Sequence, residues 1–260
     1  MHFHDFLHNS ERNIKMRTDF HSHILPEMDD GASSVEESAK LIHMLMEQGV
    51  ERIILTPHFY RENENIEKFL ERRARSYEKL MTAAEQIRGC PELILGAEVY
   101  FYPALSSDKD FHKLCIGDTD FILLELPFAR FFENFYGEYS KFLNRCEPKI
   151  IFAHIERYFS FGNKIDDIYR LMDSGNAVCQ MNCGSIADAG FFKRKTYAKM
   201  ISDGIISVIG TDTHNTTSRP PQYKKAETFI RSKCGSDAFE RICGNSDLII
   251  ENCSLKKILL

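Results

Sequence analysis

The chain has 260 residues, 43% of them hydrophobic and 27% charged, close to globular averages, with no linker-like, low-complexity or repeating stretch. That length suits one α/β barrel domain, since such barrels routinely occupy about 200 to 250 residues. A net charge of −5 argues against a general nucleic-acid-binding surface, which needs many Lys and Arg contacts to phosphate, and no apolar run reaches the roughly 20 residues of a membrane span.

Residues 1–16 are polar and carry His2, His4 and His8 ahead of any strand pattern, so they are expected to form a loosely ordered arm. From Arg17 onwards β-branched runs alternate with helical patterns, the mark of successive βα units and a mostly parallel sheet. The predicted strands, in order, are Thr18–His21, Arg52–Thr56, Leu93–Val99, Phe121–Leu126, Ile150–His154, Ala177–Asn182 and Ile205–Thr211. After the first strand, Ser33-Ser34-Val35-Glu36 offers a capping box, Val35, Ala39, Ile42 and Met46 recur at helical spacing, and Gly49 ends the helix. Between Asn63 and Ile87, residues Ile66, Phe69, Leu70, Tyr77, Leu80, Met81, Ala84 and Ile87 form one stripe of a second, longer helix. Seven such units suggest a closed or nearly closed barrel over residues 17–260, with an open doubly wound sheet as the alternative.

Ionisable residues fall at the predicted strand ends. His21 and His23 follow the first strand, His58 the second, Glu98 the third, Glu125 the fourth, His154 the fifth, and Asp212 and His214 the seventh; only the sixth offers no obvious ligand. In a parallel barrel these ends open on one face, where barrel enzymes keep their active sites. So many unpaired imidazoles and carboxylates would be costly to bury, and metal ions resolve the cost. The mixed nitrogen and oxygen set suits Mn, Fe or Zn better than Ca or Mg, and the number of ligands favours two or three ions over one. His43 and His112, away from strand ends, are expected to be surface or packing residues.

Eight scattered cysteines without a C-x-x-C pair or a preceding signal-peptide pattern read as reduced, largely core thiols of a cytoplasmic protein. None has Arg six positions on, so the C-x5-R loop of thiol-based phosphatases is missing, as are the Gly-rich loops of NTPases and dinucleotide enzymes. Asp118-Thr119-Asp120 precedes a strand and is expected to be a turn rather than an aspartyl-phosphate site.

The segments Asp19-Phe20-His21-Ser22-His23, Asp29-Asp30-Gly31-Ala32, Thr56-Pro57-His58, Gly96-Ala97-Glu98, His154-Ile155-Glu156-Arg157-Tyr158 and Asp212-Thr213-His214, with Arg219-Pro220-Pro221, occur in this order. Together they resemble the PHP (polymerase and histidinol phosphatase) superfamily, and within it the bacterial metal-dependent protein-tyrosine phosphatases of capsular and extracellular polysaccharide synthesis. The resemblance spans Arg17 to about Asn252. It implies a (β/α)7-like distorted TIM barrel with a trinuclear, manganese-type centre. It also implies a ligand set: His21, His23 and Asp212 on one metal with Glu98 bridging, His58 and His154 on a second, and Asp30, Glu125 and His214 around a third or its water. Arg157 and Arg219 would grip the phosphoryl group, and a metal-bridging hydroxide would attack phosphorus. The implied substrate is a phosphotyrosine protein, in particular a bacterial tyrosine kinase, with no nucleic acid and no direct membrane insertion. Two departures stand out: Phe59 where many relatives have a second His, and Ile155 where Pro is common. Phe59 is expected to alter the pocket entrance. The competing readings are a small-molecule PHP phosphatase, such as one acting on histidinol phosphate, and a partner-binding module without turnover. An aromatic-rich mouth (Phe59, Tyr60, Phe101, Tyr102, Phe128, Phe131, Phe132, Phe135, Tyr136, Phe159, Phe161) favours a phenyl-bearing substrate.

Overall fold

The computed structural model describes residues 15–173 and 176–259; the histidines expected in the N-terminal arm lie outside them. Among the described residues nine strands alternate with helices: β1 (Thr18–Ser22), α1 (Val35–Glu47), β2 (Arg52–Leu55), β3 (His58–Phe59), α2 (Ile66–Ala84), β4 (Glu92–Leu95), β5 (Glu98–Tyr100), β6 (Phe121–Glu125), α3 (Glu133–Cys146), β7 (Lys149–Phe152), α4 (Ile165–Met172), β8 (Ala177–Asn182), α5 (Cys183–Ala187), α6 (Phe191–Ser202), β9 (Ile206–Gly210), α7 (Tyr223–Cys234), α8 (Ser236–Ile250) and α9 (Leu255–Ile258). All pairings are parallel, in the orders β1-β2-β4 and β3-β5-β6-β7-β8-β9.

One of the seven expected strands, Leu93–Val99, is split into β4 and β5, and the second is followed by a short strand, β3, that lies beyond its expected end. Pro57, which has no N–H to give the ladder, separates β2 from β3. Between β4 and β5 the Gly96 carbonyl turns aside to accept from Arg73 Nη1 at 2.7 Å, and pairing resumes where Glu98 N donates to Pro57 O at 3.0 Å. The pieces still follow one another, so the strands make seven units side by side. The last unit returns to the first: Asp212 N donates to His21 O at 2.7 Å, His23 N donates to Thr213 O at 2.9 Å, and Ser22 pairs with Thr213.

Strand alternation sorts the core into two layers. Phe20, Ile54, Phe121, Leu123, Ile151, Ala153, Val178 and Val208 face one another inside the ring, and Ile249, Leu255 and Ile258 pack with them. The other strand faces, with Ile53, Leu55, Ile122, Leu124, Ile150 and Phe152, pack under the helices. α1 is capped one residue on from the expected Ser33–Glu36 box: Ser34 Oγ accepts from Glu37 N at 3.2 Å, a cap worth about 1 kcal/mol. Gly49 follows at φ +79°, which a Cβ would strain. α2 buries Ile66, Phe69, Leu80 and Ala84 from its predicted stripe. Among the described residues no helix is long and apolar enough to cross a membrane.

Candidate metal centre

Above the inner hydrophobic layer the same alternation carries polar groups. Phe121 and Leu123 face inward on β6, so Glu125 does too; Val178 faces inward on β8, so Gln180 and Asn182 follow it. On β7 the parity is wrong, because Ile151 and Ala153 already point in and the next residue would face out. His154 adopts φ +32°, a left-handed conformation that re-aims its ring. Asp212, after β9, is left-handed as well at φ +52°. Strained backbone of this kind persists only where the surroundings hold it, and it concentrates at functional sites. On β1 the register shifts between Asp19 and Ser22, an irregularity that lets Phe20 join the inner core while His21 beside it reaches the site.

The structure brings the nine expected ligands together: seven are buried, His58 is partly exposed, and Asp30 lies at the mouth. Glu98 is the hub: its Oε2 lies 3.1 Å from His21 Nε2, 3.3 Å from His23 Nε2 and 3.0 Å from His58 Nδ1, and its Oε1 lies 2.8 Å from His154 Nε2. Asp212 Oδ1 is 3.6 Å from His21 Nε2 and 3.3 Å from His23 Nε2, and Glu125 Oε1 is 3.3 Å from His154 Nε2. Asp30, 66% exposed, lies 3.3 Å from His214 Nε2 and 3.6 Å from His58 Nε2.

These distances fit a metal site better than a hydrogen-bonded network. His21 Nε2 and His23 Nε2 face each other at 3.1 Å, where at most one proton can lie between them. Glu98 Oε2 and His214 Nε2 are buried without a hydrogen-bond partner among the described residues. Donor atoms close enough to share an ion form three groups: His21, His23 and Glu98; His58, Glu98 and Glu125; and His23, Asp30, His58 and His214. Glu98 belongs to two of them, as a bridging carboxylate would, and Asp30 and Glu125 fall in different groups.

Supporting side chains hold the outer nitrogens. Asp29 Oδ2 accepts from His23 Nδ1 at 2.8 Å and from His58 N at 2.8 Å, His214 Nδ1 lies 3.0 Å from Asp212 O, and His21 Nδ1 lies 3.4 Å from Gln180 Oε1. Gln180 Oε1 also accepts from His154 N at 2.6 Å, and Asn182 Nδ2 donates to Asp212 Oδ2 at 2.7 Å. At His21, His23 and His214, with Nδ1 engaged, Nε2 is left facing the cluster, as in metal-bound histidines, whereas His58 turns Nδ1 inward and His154 Nδ1 has no partner among the described residues. Sequence reasoning missed Asp29, Gln180 and Asn182. The Gln-x-Asn alternation in an otherwise apolar strand was the available signal for the latter two.

Electrostatics express the same crowding. Burial disfavours the Glu98 carboxylate, but His21, His58 and His154 outweigh it and hold the group well below the ordinary range. Burial likewise works against charge at His23, yet Asp29, Asp212 and Glu98 hold it well above its usual value. His154, opposed by burial but facing Glu125 and Glu98, is pushed up to about 9. His214, buried and beside His23, falls to about 4. Without metal the cluster is thus neutralised partly by protons.

Arg157 and Arg219 converge at the rim on the same Asp212 oxygen, Arg219 Nη2 at 2.8 Å. A cavity of about 200 Å³ opens between them, lined also by Asn182, Ser185 and Thr211. A second, of about 420 Å³, lies on the side of Asp29, Asp30, His58 and Tyr60. A larger cavity, about 800 Å³ beside Lys149 and Asn176, is at the opposite ends of β7 and β8. The aromatic mouth is sparser than expected. Phe59 is fully buried against Phe69 and does not shape the entrance, and Phe101, Phe131 and Tyr136 are also core residues. Phe128 stacks 5.8 Å from the His154 ring and 5.6 Å from Phe161, both Phe side chains being exposed, while Tyr60 lies 5.1 Å from His58. Among the described residues all eight cysteines are free.

A family model described as "Capsular polysaccharide synthesis, CpsB/CapC" matches residues 17–251. The chain is 29% identical to the tyrosine-protein phosphatase CpsB of Streptococcus pneumoniae over 227 residues, 84% of this chain and 91% of that one. It is also 29% identical to the tyrosine-protein phosphatase YwqE of Bacillus subtilis (strain 168) over 242 residues, 90% and 91% of the two chains. Among solved structures, one from a crystallographic description of B. subtilis YwqE and S. pneumoniae CpsB as "unique metal-dependent tyrosine phosphatases" shares the fold at a TM-score of 0.77. It is 24% identical, with 91% of this chain and 95% of that chain covered.

Proposed function

Since the chain belongs to the CpsB/CapC family of capsular polysaccharide synthesis, we propose that it is a metal-dependent protein-tyrosine phosphatase. The observation that carries this reading is the convergence of five imidazoles and four carboxylates, Glu98 the hub among them, at the mouth of the ring. His21, His23 and Asp212 would hold one ion, Glu98 would bridge to a second held by His58, Glu125 and His154, and Asp30 with His214 would serve a third. Two or three ions, manganese ahead of iron or zinc, match this donor set. When bound, such ions supply Lewis acidity and lower the pKa of water from 15.7 towards ~7.

The chain's own groups do the rest. Arg157 and Arg219, both bonded to Asp212, turn their planar forks to the phosphoryl oxygens and hold the charge that grows on them. Asp30, exposed at the mouth between His58 and His214, orients water or passes a proton to the leaving oxygen. Phe128, Phe161 and Tyr60 offer faces for a phenyl ring. Phenolate, with a pKa near ~10, leaves more readily than an alkoxide, so little general-acid help is needed.

We read residues 17–260 as one domain and the substrate as phosphotyrosine on protein, specifically the tail of a cytoplasmic bacterial tyrosine kinase that governs polysaccharide synthesis. The test is kcat/KM for one peptide carrying phosphotyrosine or phosphoserine, alongside histidinol phosphate. Preference for phosphotyrosine is expected. Equal or greater efficiency on either of the others would replace this reading with that of a broader or small-molecule phosphatase.

A further inference from the structure

Helices that wrap a sheet bury one stripe and expose the other. The start of α6 departs from this: all six residues at 191–196 are exposed, and burial begins only at Tyr197. Two of the six are phenylalanines, Phe191 at 82% and Phe192 at 86% exposure, their rings 5.6 Å apart and edge to face. Adjacent aromatic rings left in water forgo the hydrophobic gain that would otherwise hold them to the protein, which marks a contact surface.

The next three residues are Lys193, Arg194 and Lys195, all exposed. Arg194 leans over the Phe229 ring at 5.8 Å and lines a groove with Lys224, Lys225 and Lys233. Lys224 is already paired with Glu227. On a chain with net charge −5, this corner is a local reversal of sign. Its place in the fold is also specific. α6 follows the short α5, which begins directly after β8, and β8 ends at Asn182, whose amide donates to Asp212 in the candidate metal centre. The aromatic pair therefore stands on the face of the ring that carries the site.

We propose that Phe191 and Phe192, with Lys193, Arg194 and Lys195, dock the protein peripherally on an anionic lipid bilayer, the rings entering the interfacial layer and the cations meeting lipid phosphates. The shape decides for a bilayer over a protein partner. The two rings project from a helix start exposed on every side, which a deformable layer accepts without a matched cavity, and aromatic side chains beside Lys and Arg are the composition of interfacial anchors. Docking in this way turns the mouth of the site towards the membrane surface without any spanning segment.

The test uses the full-length, metal-loaded protein sedimented with vesicles of phosphatidylcholine alone or with about one third phosphatidylglycerol. Binding to the anionic vesicles is expected to exceed binding to neutral ones at least ~10-fold and to weaken with salt. The Phe191→Ser/Phe192→Ser double variant should lose at least ~10-fold of that binding, and Lys193→Gln/Lys195→Gln should lose its salt-sensitive part. Both variants should melt as the parent does and turn over a soluble aryl phosphate within about twofold of it, since the substitutions lie outside the site. A parent protein that ignores anionic vesicles, or an aromatic variant that binds them equally well, would overturn the proposal. So would a parent that is dimeric by sedimentation velocity and a variant that is monomeric, because the patch would then be covered by a second copy.

Discussion

Asp29 holds His23 by the nitrogen that faces away from the cluster, Oδ2 to Nδ1 at 2.8 Å, and the same oxygen accepts from the backbone N–H of His58 at 2.8 Å. One buried carboxylate therefore fixes the tautomer of one candidate ligand and the position of another. Removing such a partner typically weakens metal binding about 10- to 100-fold. Asp29→Asn should lower metal affinity by that order while excess metal restores turnover. Calorimetric metal titration reads this directly, and an unchanged affinity would reduce Asp29 to a turn residue.

Gly31 and Gly210 let backbone approach where no side chain fits. A Cβ at Gly31 would lie 2.2 Å from His23 O, and one at Gly210 would lie 2.5 Å from His21 Cβ. Overpacking costs typically ~1–3 kcal/mol, and relief by movement would displace a ligand. Gly31→Ala and Gly210→Ala are each expected to lower the denaturation midpoint and the metal content together. A variant with full stability and full metal content would show that the β1 end yields more freely than its packing indicates.

Arg157 and Arg219 meet on Asp212 Oδ2, so each is shared between a candidate ligand and the substrate. Hydrogen bonds to charged groups contribute about 1.5–3 kcal/mol, and either Arg→Ala variant should lose roughly 10- to 100-fold in kcat/KM on a phosphotyrosine peptide. Metal content should stay near normal. Stoichiometric metal loss in either variant would assign that arginine to holding Asp212.

The protons that partly neutralise the metal-free cluster predict a pH dependence. His154 stands at about 9, above its ordinary 6.5, because Glu125 and Glu98 outweigh its burial. Its contribution to the stability of the metal-free fold is fully present below pH 6.5 and is lost as pH rises through 9. Bound metal takes the proton's place, so metal affinity should rise across that same window. Calorimetric scans of the metal-free protein from about pH 6.5 to 9 should show a falling midpoint, and metal-loaded protein should not follow it. A metal-free midpoint that climbs instead would contradict this ordering of charges.

Much of the site was legible because strand ends in a parallel α/β fold converge, so that His21, His23, His58, Glu98, Glu125, His154, Asp212 and His214 could be grouped from sequence order alone. Residues whose role depends on a turn's three-dimensional path were not. Asp29 and Asp30 are neighbours of the same type, and only the path around Gly31 decides that the first turns in against His23 while the second faces solvent. Gln180 and Asn182 looked inert because neither carries charge, yet the inner-face parity set by Val178 turns both towards the site. Phe59 erred the other way: next to His58 it seemed to border the entrance, but alternation along β3 sends it into the core. The short strand β3 beyond Pro57 and the break within the third predicted strand, where Arg73 of α2 bonds to Gly96 O, rest on contacts that strand periodicity does not encode.

Turnover at this cluster depends on bound metal. The direct measurement is phosphate release from a phosphotyrosine peptide by protein stripped with a strong chelator, then reloaded with manganese, with a thiol-alkylated sample in parallel. Stripped protein should be inactive, reloading should restore turnover, and alkylation should spare most of it. Full activity in verified metal-free protein, or its abolition by alkylation alone, would contradict the account.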